Sequence, residues 1–279
     1  MEWISCPLCS GKEAKRSHQE GTYIMVRCLQ CGFLYQNPRP SEKERLKSYQ
    51  HYLPQGADEI EAWGRMMAPV FKKGADLIER YIPRGRLLDV GTGYGFFLAL
   101  MQTRGWEVIG LEASLRGAHY GQKRWGIRIL PQPWERASFP ERAFDVVTAF
   151  YVIEHLPDPL AFLREVHRIV RPGGMLLLRY PHTTPIKDIL SFMRLNNNLY
   201  HLPFHLCDFS PTSMHRALEK VGFTKIETVV GGFTTPSSLA GQLSGITFGN
   251  LAEMLYHLSG GRIMLPGVSK TTIARKVEQ

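Results

Sequence analysis

Residues 87–95 constrain the fold of this chain more than any other stretch. They read LLDVGTGYG, an apolar run that favours a buried β-strand and then a glycine-rich turn into a helix. Glu112 stands 21 residues after Gly91 and ends a second apolar run, WEVIGL, over residues 106–111. An acid in that place can bind both hydroxyls of a ribose, and the glycines let a ligand approach the backbone closely. The pattern predicts a site for an adenosine-type cofactor.

The glycine spacing argues against a nicotinamide dinucleotide. That cofactor requires G-x-G-x-x-G, and Phe96 stands in the place of the third glycine. Asp89 with Gly91, Gly93 and Gly95 instead forms D-x-G-x-G-x-G. This resembles the first motif of class I S-adenosylmethionine-dependent methyltransferases, whose turn holds the amino-acid end of the cofactor. A tight strand-to-helix turn without a ligand is the alternative.

Later segments resemble the same family. Residues 143–159 (AFDVVTAFYVIEHLPDP) are similar to its fourth strand and the loop after it, and residues 170–174 (VRPGG) to the turn into its fifth strand. Residues 205–210 (HLCDFS), with LEKVGF over 218–223, resemble the element before the sixth strand. The resemblance covers residues 1–230 and the last strand, and is closest to ubiquinone-biosynthesis O-methyltransferases and sugar methyltransferases. It implies an α/β fold with a Rossmann-like seven-stranded class I methyltransferase sheet and helices on both faces.

The alternation of strand and helix patterns from residue 86 onward favours a parallel α/β sheet. No helical crossover of ordinary length separates the last two apolar runs, which in this family indicates an added antiparallel strand. The predicted strands cover residues 86–90, 106–111, 127–130, 144–150, 174–180, 224–230 and 271–277.

Four of the five cysteines form two C-x-x-C pairs, Cys6 with Cys9 and Cys28 with Cys31. The 18-residue spacer between the pairs suits a four-thiolate zinc site, and four protein ligands make such a zinc structural. A disulfide framework is the alternative, which the regular pairs and the absence of a secretory signal pattern disfavour. Cys207 is expected to be a buried free thiol.

The chain after Cys31 resembles the zinc-ribbon head of many bacterial class I methyltransferases, with GFLYQNPRPS over residues 32–41. Ser41 and Glu44 predict a capping box, and the apolar periodicity over 59–81 predicts a second helix that Pro83 ends. This helix either closes over the cofactor or only packs on the sheet. We expect a zinc ribbon over 1–40, a helical lead-in over 41–84 and a methyltransferase domain over 85–279. Residues 231–268 form a variable insertion that could shape the acceptor site, mediate subunit contacts or fill the core.

The resemblance also implies the cofactor contacts. The family usually has an acid beside the adenine, and Pro133 falls on that position here. Either a gap brings Glu135 into place, or Gln132 and the Trp134 backbone replace the acid while the Trp134 ring stacks on the base. The expected cofactor-binding residues are Asp89, Gly91, Thr92, Gly93, Gly95, Glu112, Ala113, Gln132, Trp134 and Phe150.

Three histidines are candidates for acceptor chemistry. A hydroxyl acceptor must lose a proton, and His155, in the loop after the fourth strand, is the expected base. His201 and His205 could line an acceptor pocket or a lid, and a structural role is the alternative for all three. The predicted reaction is methyl transfer to a small molecule, on the oxygen of a sugar or a phenol-like acceptor.

Net charge and composition leave two other classes of protein open. The chain has 279 residues, 44% of them hydrophobic, and a net charge of +9, which permits a polyanionic partner. The basic runs are short and scattered, so an RNA base methyltransferase with a zinc-ribbon head is one alternative and a non-catalytic cofactor-binding scaffold is another. No apolar run reaches the length of a membrane span, and the N-terminus has no secretory pattern, so a cytoplasmic protein is expected.

Overall fold

The computed structural model describes residues 1–49, 52–193, 199–232, 234, 239–259, 264–265 and 269–277. In these ranges we find no helix whose length and apolar character would allow it to cross a membrane. The strands are β1 (Ala14–Glu20), β2 (Tyr23–Cys28), β3 (Leu34–Gln36), β4 (Arg86–Val90), β5 (Glu107–Leu111), β6 (Arg128–Leu130), β7 (Phe144–Phe150), β8 (Val170–Tyr180), β9 (Cys207–Asp208), β10 (Thr224–Val229) and β11 (Lys270–Arg275). The helices are α1 (Glu42–Tyr49), α2 (Ala57–Glu79), α3 (Phe96–Thr103), α4 (Leu115–Trp125), α5 (Pro159–Ile169), α6 (Thr184–Phe192), α7 (Pro211–Lys220) and α8 (Leu239–Leu258).

The main sheet has seven strands in the order β10-β11-β8-β7-β4-β5-β6. Strand β11 is antiparallel to both of its neighbours, and the pairs from β8 to β6 are parallel. All seven residues of β7 are buried because the central strands of a parallel sheet are covered on both faces. The predicted seven-stranded α/β fold is confirmed, with β8 beginning four residues earlier than expected.

The prediction about the connection between the last two strands was wrong. Helix α8 covers Leu239–Leu258 and has an ordinary length for a crossover. Glycines at 241, 245 and 249 interrupt the apolar periodicity in the first half of the helix, so the sequence does not predict the helix over its full length. Other parts of the expected insertion, such as residues 260–263 and 266–268, lie outside the described residues.

The N-terminal strands form a second sheet, in the order β1-β2-β3-β9. Its last strand comes from the second half of the chain, and pairs Leu34 with Asp208 and Tyr35 with Cys207. The apolar core is also shared, since Phe33 lies 4.9 Å from Phe209, measured between ring centroids. The N-terminal sheet is therefore joined to the main domain by both backbone pairing and side-chain packing.

Two capped helices connect the sheets. At α1, the Ser41 N–H donates to the Glu44 carboxylate at 2.8 Å, which is one of the two bonds of the predicted capping box. The Ser41 hydroxyl donates to the same carboxylate at 2.7 Å. Glu59 in the first turn of α2 accepts from the backbone N–H of Gly56 at 3.1 Å. Helix α2 packs closely on α3, because a Cβ at Gly64 would lie 2.6 Å from the Phe96 ring. This packing places α2 over the carboxyl ends of β4 and β5.

Candidate active site

A cavity of about 1090 Å³ opens at the carboxyl ends of the parallel strands. In open α/β sheets ligands bind at this edge, where the strand order reverses. Nine of the ten expected cofactor-binding residues line it, and Gly95 is the exception. The nine are Asp89, Gly91, Thr92, Gly93, Glu112, Ala113, Gln132, Trp134 and Phe150.

The three glycines of the turn differ in their surroundings. All have positive φ angles, of 70° at Gly91, 56° at Gly93 and 78° at Gly95, and residues other than glycine rarely adopt such angles. A Cβ at Gly93 would have no neighbour closer than 3.5 Å, whereas one at Gly91 would lie 2.4 Å from a methyl carbon of Val152. A Cβ at Gly95 would contact Trp125 at 3.2 Å. Gly95 thus serves the packing of α4 against the turn and is not among the residues that line the cavity. Its expected contact with the cofactor stays a prediction.

Glu112 is anchored at the end of β5 by backbone groups. Its carboxylate accepts from Gly93 N–H at 2.7 Å and from Ser114 N–H at 2.8 Å. The side chain is 8% exposed and lines the cavity. A carboxylate has about four lone-pair sites, so the positions that the backbone donors leave open can accept from the hydroxyls of a ligand.

Asp89 lies at the bottom of the cavity and is 2% exposed. Its carboxyl accepts from the Thr148 hydroxyl of the neighbouring strand at 2.6 Å. Burial raises the pKa of Asp89 to about 7, although hydrogen bonding partly opposes this shift. A carboxyl group poised near neutrality can become an anion when a cationic group binds beside it.

Helix α2 forms one wall of the cavity. From its sequence, this helix could either close over the cofactor or only pack on the sheet. Trp63 lies above the turn, with its ring 3.5 Å from the position of a Cβ at Gly93. Met67 and Phe71 of the same helix also line the cavity while belonging to the core cluster under the sheet. The helix therefore both packs on the fold and covers the cavity. None of these three side chains was predicted as a site residue, since an apolar helix face by itself indicates only packing.

The part of the cavity expected to bind the adenine includes the residues of both proposed arrangements, Glu135 in one and Gln132 with Trp134 in the other. Gln132, Trp134 and Glu135 all line the cavity, and Trp134 begins a single turn of 3₁₀ helix over Trp134–Arg136. The Trp134 ring packs edge-on against Phe162, with centroids 5.4 Å apart. Its indole nitrogen is buried, and the Trp134 side chain interacts with the carboxyl group of Glu135.

His155 and His205 lie in contact on the other side of the cavity, with ring centroids 4.8 Å apart. The Nδ1 atom of His155 lies 2.9 Å from the Phe204 carbonyl oxygen. A carbonyl only accepts, so Nδ1 carries the proton and Nε2 is the basic nitrogen. Burial lowers the pKa of His155 to about 4, which keeps the ring neutral at pH 7. His201 lies next to His205, at 5.3 Å between ring centroids, and is exposed.

Glu154 is a further member of this cluster that the sequence analysis did not select. Its side chain lines the cavity at 1% exposure, and neither carboxyl oxygen has a hydrogen-bond partner among the described residues. Burial raises its pKa to about 8, so the carboxyl is mostly neutral at pH 7. Unpaired buried polar groups are costly and are found at functional sites. The sequence signal that could have identified Glu154 is its position directly before His155.

The four N-terminal cysteines meet at one point. The Sγ atoms of Cys6 and Cys31 are 3.6 Å apart, and those of Cys9 and Cys28 are 3.5 Å apart. All four sulfurs lie within 4.8 Å of one another. Tetrahedral zinc with Zn–S bonds of about 2.3 Å requires sulfurs about 3.8 Å apart, so the thiols fit such an ion. Cys207 is a buried free thiol, as expected.

The sequence and the fold both resemble known methyltransferases. Residues 62–228 match the family described as a methyltransferase domain. An uncharacterized methyltransferase of Mycobacterium sp. (strain KMS) is 39% identical over 100 residues, which cover 35% of this chain and 40% of the relative. The ubiquinone biosynthesis O-methyltransferase of Pseudomonas aeruginosa (strain LESB58) is 32% identical over 130 residues, 44% of this chain and 56% of the relative. The chain thus matches only about half of the length of these curated relatives.

Solved structures share the fold at low sequence identity. A SAM-dependent methyltransferase of Thermotoga maritima, described as a possible histamine N-methyltransferase, superposes with a TM-score of 0.56 at 17% identity. The match covers 83% of this chain and 99% of the Thermotoga maritima chain. Phosphoethanolamine N-methyltransferase 2 of Haemonchus contortus, solved with S-adenosyl-L-methionine, has a TM-score of 0.53 at 16% identity over 95% of this chain and 71% of its own. At these identities the likeness concerns the fold alone.

Proposed function

Because this chain belongs to the methyltransferase-domain family, we propose that it transfers a methyl group from S-adenosylmethionine to a small-molecule acceptor, on oxygen. The cavity carries this proposal, since it joins the Gly93–Glu112 pair on one side to a cluster of imidazole and carboxyl groups on the other. When bound, S-adenosylmethionine supplies an electrophilic methyl group.

The cofactor would lie along the turn and the end of β5. Glu112 would accept from ribose hydroxyls at positions that its backbone donors leave open, and the open space beside Gly93 lets a ligand approach the backbone. Asp89 would pair with the ammonium of the amino-acid end, because a cation beside the buried carboxyl favours its charged form. Gln132 lines the cavity and would offer its side-chain amide to the adenine.

The acceptor would lie against His155 and His205. Neutral His155 would take the proton of the acceptor hydroxyl on Nε2, since Nδ1 is held by the Phe204 carbonyl. Holding a hydroxyl close to the transferable methyl group supplies much of the rate of such a displacement. Glu154 could donate to or accept from a second hydroxyl of the acceptor, because both of its oxygens face no partner among the described residues.

A small molecule suits the cavity better than RNA does. The cavity lining contains acidic as well as basic side chains, among them Glu2, Arg39, Glu42 and Arg45. RNA binding depends on a basic surface that contacts several phosphates. The named relatives in ubiquinone biosynthesis also support an oxygen acceptor. We propose further that the four cysteines hold one structural zinc ion and that residues 1–40 form a zinc ribbon.

The test measures transfer of tritium from methyl-labelled S-adenosylmethionine to three panels of acceptors: small sugars, phenols and total RNA. We expect label in a sugar or a phenol, with methyl groups on oxygen by mass spectrometry. Label in RNA would contradict the small-molecule proposal, particularly if binding weakened steeply with added salt. Cofactor binding without transfer to any panel would favour a scaffold.

A further inference from the structure

The segment over residues 199–206 is docked on the N-terminal sheet. Tyr200 is 1% exposed and forms an apolar cluster with Met25 of β2 and Leu34 of β3, on which Leu202 also packs. The Tyr200 ring also packs edge-on against His18 of β1, with centroids 5.3 Å apart. The segment carries His201 and His205, which line the cavity. The N-terminal sheet thus supports the wall of the cavity that His201 and His205 form.

Glu20, the last residue of β1, connects the N-terminal sheet to residues 199–206 by hydrogen bonds. Its carboxylate accepts from the Tyr200 N–H at 3.0 Å and from the Leu202 N–H at 3.4 Å. It also pairs with Lys187 of α6 at 2.9 Å, and both side chains are 5% exposed. Hydrogen bonds to a buried charged group are stronger than those between neutral groups. One carboxylate from the N-terminal sheet therefore holds two backbone amides of the cavity wall.

A second connection follows the backbone. Gln36 N–H of β3 donates to the Leu206 carbonyl at 2.8 Å, and Leu206 N–H donates to the Glu154 carbonyl at 2.7 Å. The N-terminal sheet is thereby linked to the loop that holds Glu154 and His155. The Asp89 and Glu112 carboxyl groups instead bond to residues of the main sheet and its loops. The two sides of the cavity have different supports.

We propose that Glu20 is a positioning residue through which the N-terminal sheet holds the acceptor side of the cavity. Because Cys28 ends β2 and β2 pairs with β1, loss of a metal held by the four cysteines would loosen residues 199–206 and leave cofactor binding intact. The inference rests on the proposed function only in taking the His201–His205 side as the acceptor side.

Hydrogen exchange measured by mass spectrometry on the zinc-loaded full chain tests this inference. We expect Glu20→Gln to speed amide exchange over residues 199–206 by roughly tenfold or more, since local opening becomes easier. Exchange over residues 86–95, and the affinity for S-adenosylhomocysteine measured by calorimetry, should stay within about twofold of the wild type. Glu13→Gln is the matched control, because Glu13 is an exposed acid of the same N-terminal unit.

A second variant guards against misfolding caused by loss of the Glu20–Lys187 ion pair. Glu20→Leu combined with Lys187→Met removes both buried charges, a replacement that folded proteins often tolerate. It still leaves the two amides without their acceptor, so exchange over 199–206 should again rise. Removing the metal with a chelator should raise exchange in the same segment and spare residues 86–95.

Two outcomes would overturn the inference. One is unchanged exchange over 199–206 in both variants, and the other is a uniform rise that includes residues 86–95. Failure of the wild type to bind S-adenosylhomocysteine would contradict the proposed function, and the exchange comparison would still report on Glu20.

Discussion

The backbone N–H of Gly93 donates a hydrogen bond to the carboxylate of Glu112 at 2.7 Å. The bond joins the glycine turn after β4 to the end of β5, across 19 residues of sequence. The acid expected to bind ribose thus also fixes the turn that a ligand approaches. The two elements of the sequence motif form one structural unit.

Replacement of Glu112 tests this unit. We expect Glu112→Ala to weaken S-adenosylhomocysteine binding by about 10- to 100-fold, because charged hydrogen bonds of about 1.5–3 kcal/mol are lost. Calorimetry gives the dissociation constant. Glu107→Ala, an exposed acid at the start of the same strand, is the control and should bind as the wild type does. Equal affinity of both variants would exclude Glu112 from the cofactor site.

The affinity for S-adenosylmethionine should depend on pH through Asp89. Burial raises the pKa of Asp89 to about 7, so the carboxyl is mostly protonated below that pH and ionised above it. Because the anion pairs with the ammonium, we expect binding to weaken as the pH falls from about 7.5 to about 6, by up to tenfold per pH unit below the pKa.

The Asp89→Asn variant should bind weakly with a flat profile, and Asp58→Asn, an exposed acid of α2, should keep the wild-type profile. Calorimetry at several pH values distinguishes them. A steep profile that survives in Asp89→Asn would show that another group titrates.

His155→Gln should reduce turnover of the acceptor identified by screening by roughly a hundredfold or more, as expected for loss of a general base. Cofactor affinity should be unchanged, because the ring lies on the other side of the cavity from Glu112. His119→Gln, on the exposed side of α4, is the control. Steady-state kinetics with both variants decide the role, and a wild-type rate in His155→Gln rejects it.

Zinc content tests the cysteine cluster. The wild type should contain about one zinc ion per chain, and Cys9→Ser should contain much less, because a tetrahedral site needs all four thiolates. Cys207→Ala removes a buried thiol outside the cluster and should retain the metal. Elemental analysis of the purified proteins gives the stoichiometry. A wild type without zinc, purified with the metal supplied, would contradict a structural zinc site.

Short-range patterns predicted the main sheet well. The apolar runs that became β4 and β7 matched their observed bounds, because fully buried strands are continuous apolar segments between turn residues. Helix α8 was missed because its glycines break the periodicity. Gly95 was predicted to bind the cofactor from its place in the glycine motif, and its packing against Trp125 of α4 could not be read from that motif.

The candidate site was predicted only in part, because local sequence places some of its residues and not others. Glu112 and Asp89 are placed by strand ends, whose position follows from local sequence. Trp63 and Glu154 were not selected, because an apolar helix position and a buried acid acquire a role only from what lies across the cavity.

The sequence by itself determined the elements that depend on neighbours along the chain: the strand–turn–helix unit at Gly93, the capping box at Ser41 and the paired cysteine turns. Only the tertiary structure decided which distant groups meet. Glu20 and Tyr200 are 180 residues apart, and β3 pairs with β9 across a similar separation. Such contacts arise from burial of apolar faces that many sequences share, so no local pattern specifies the partner.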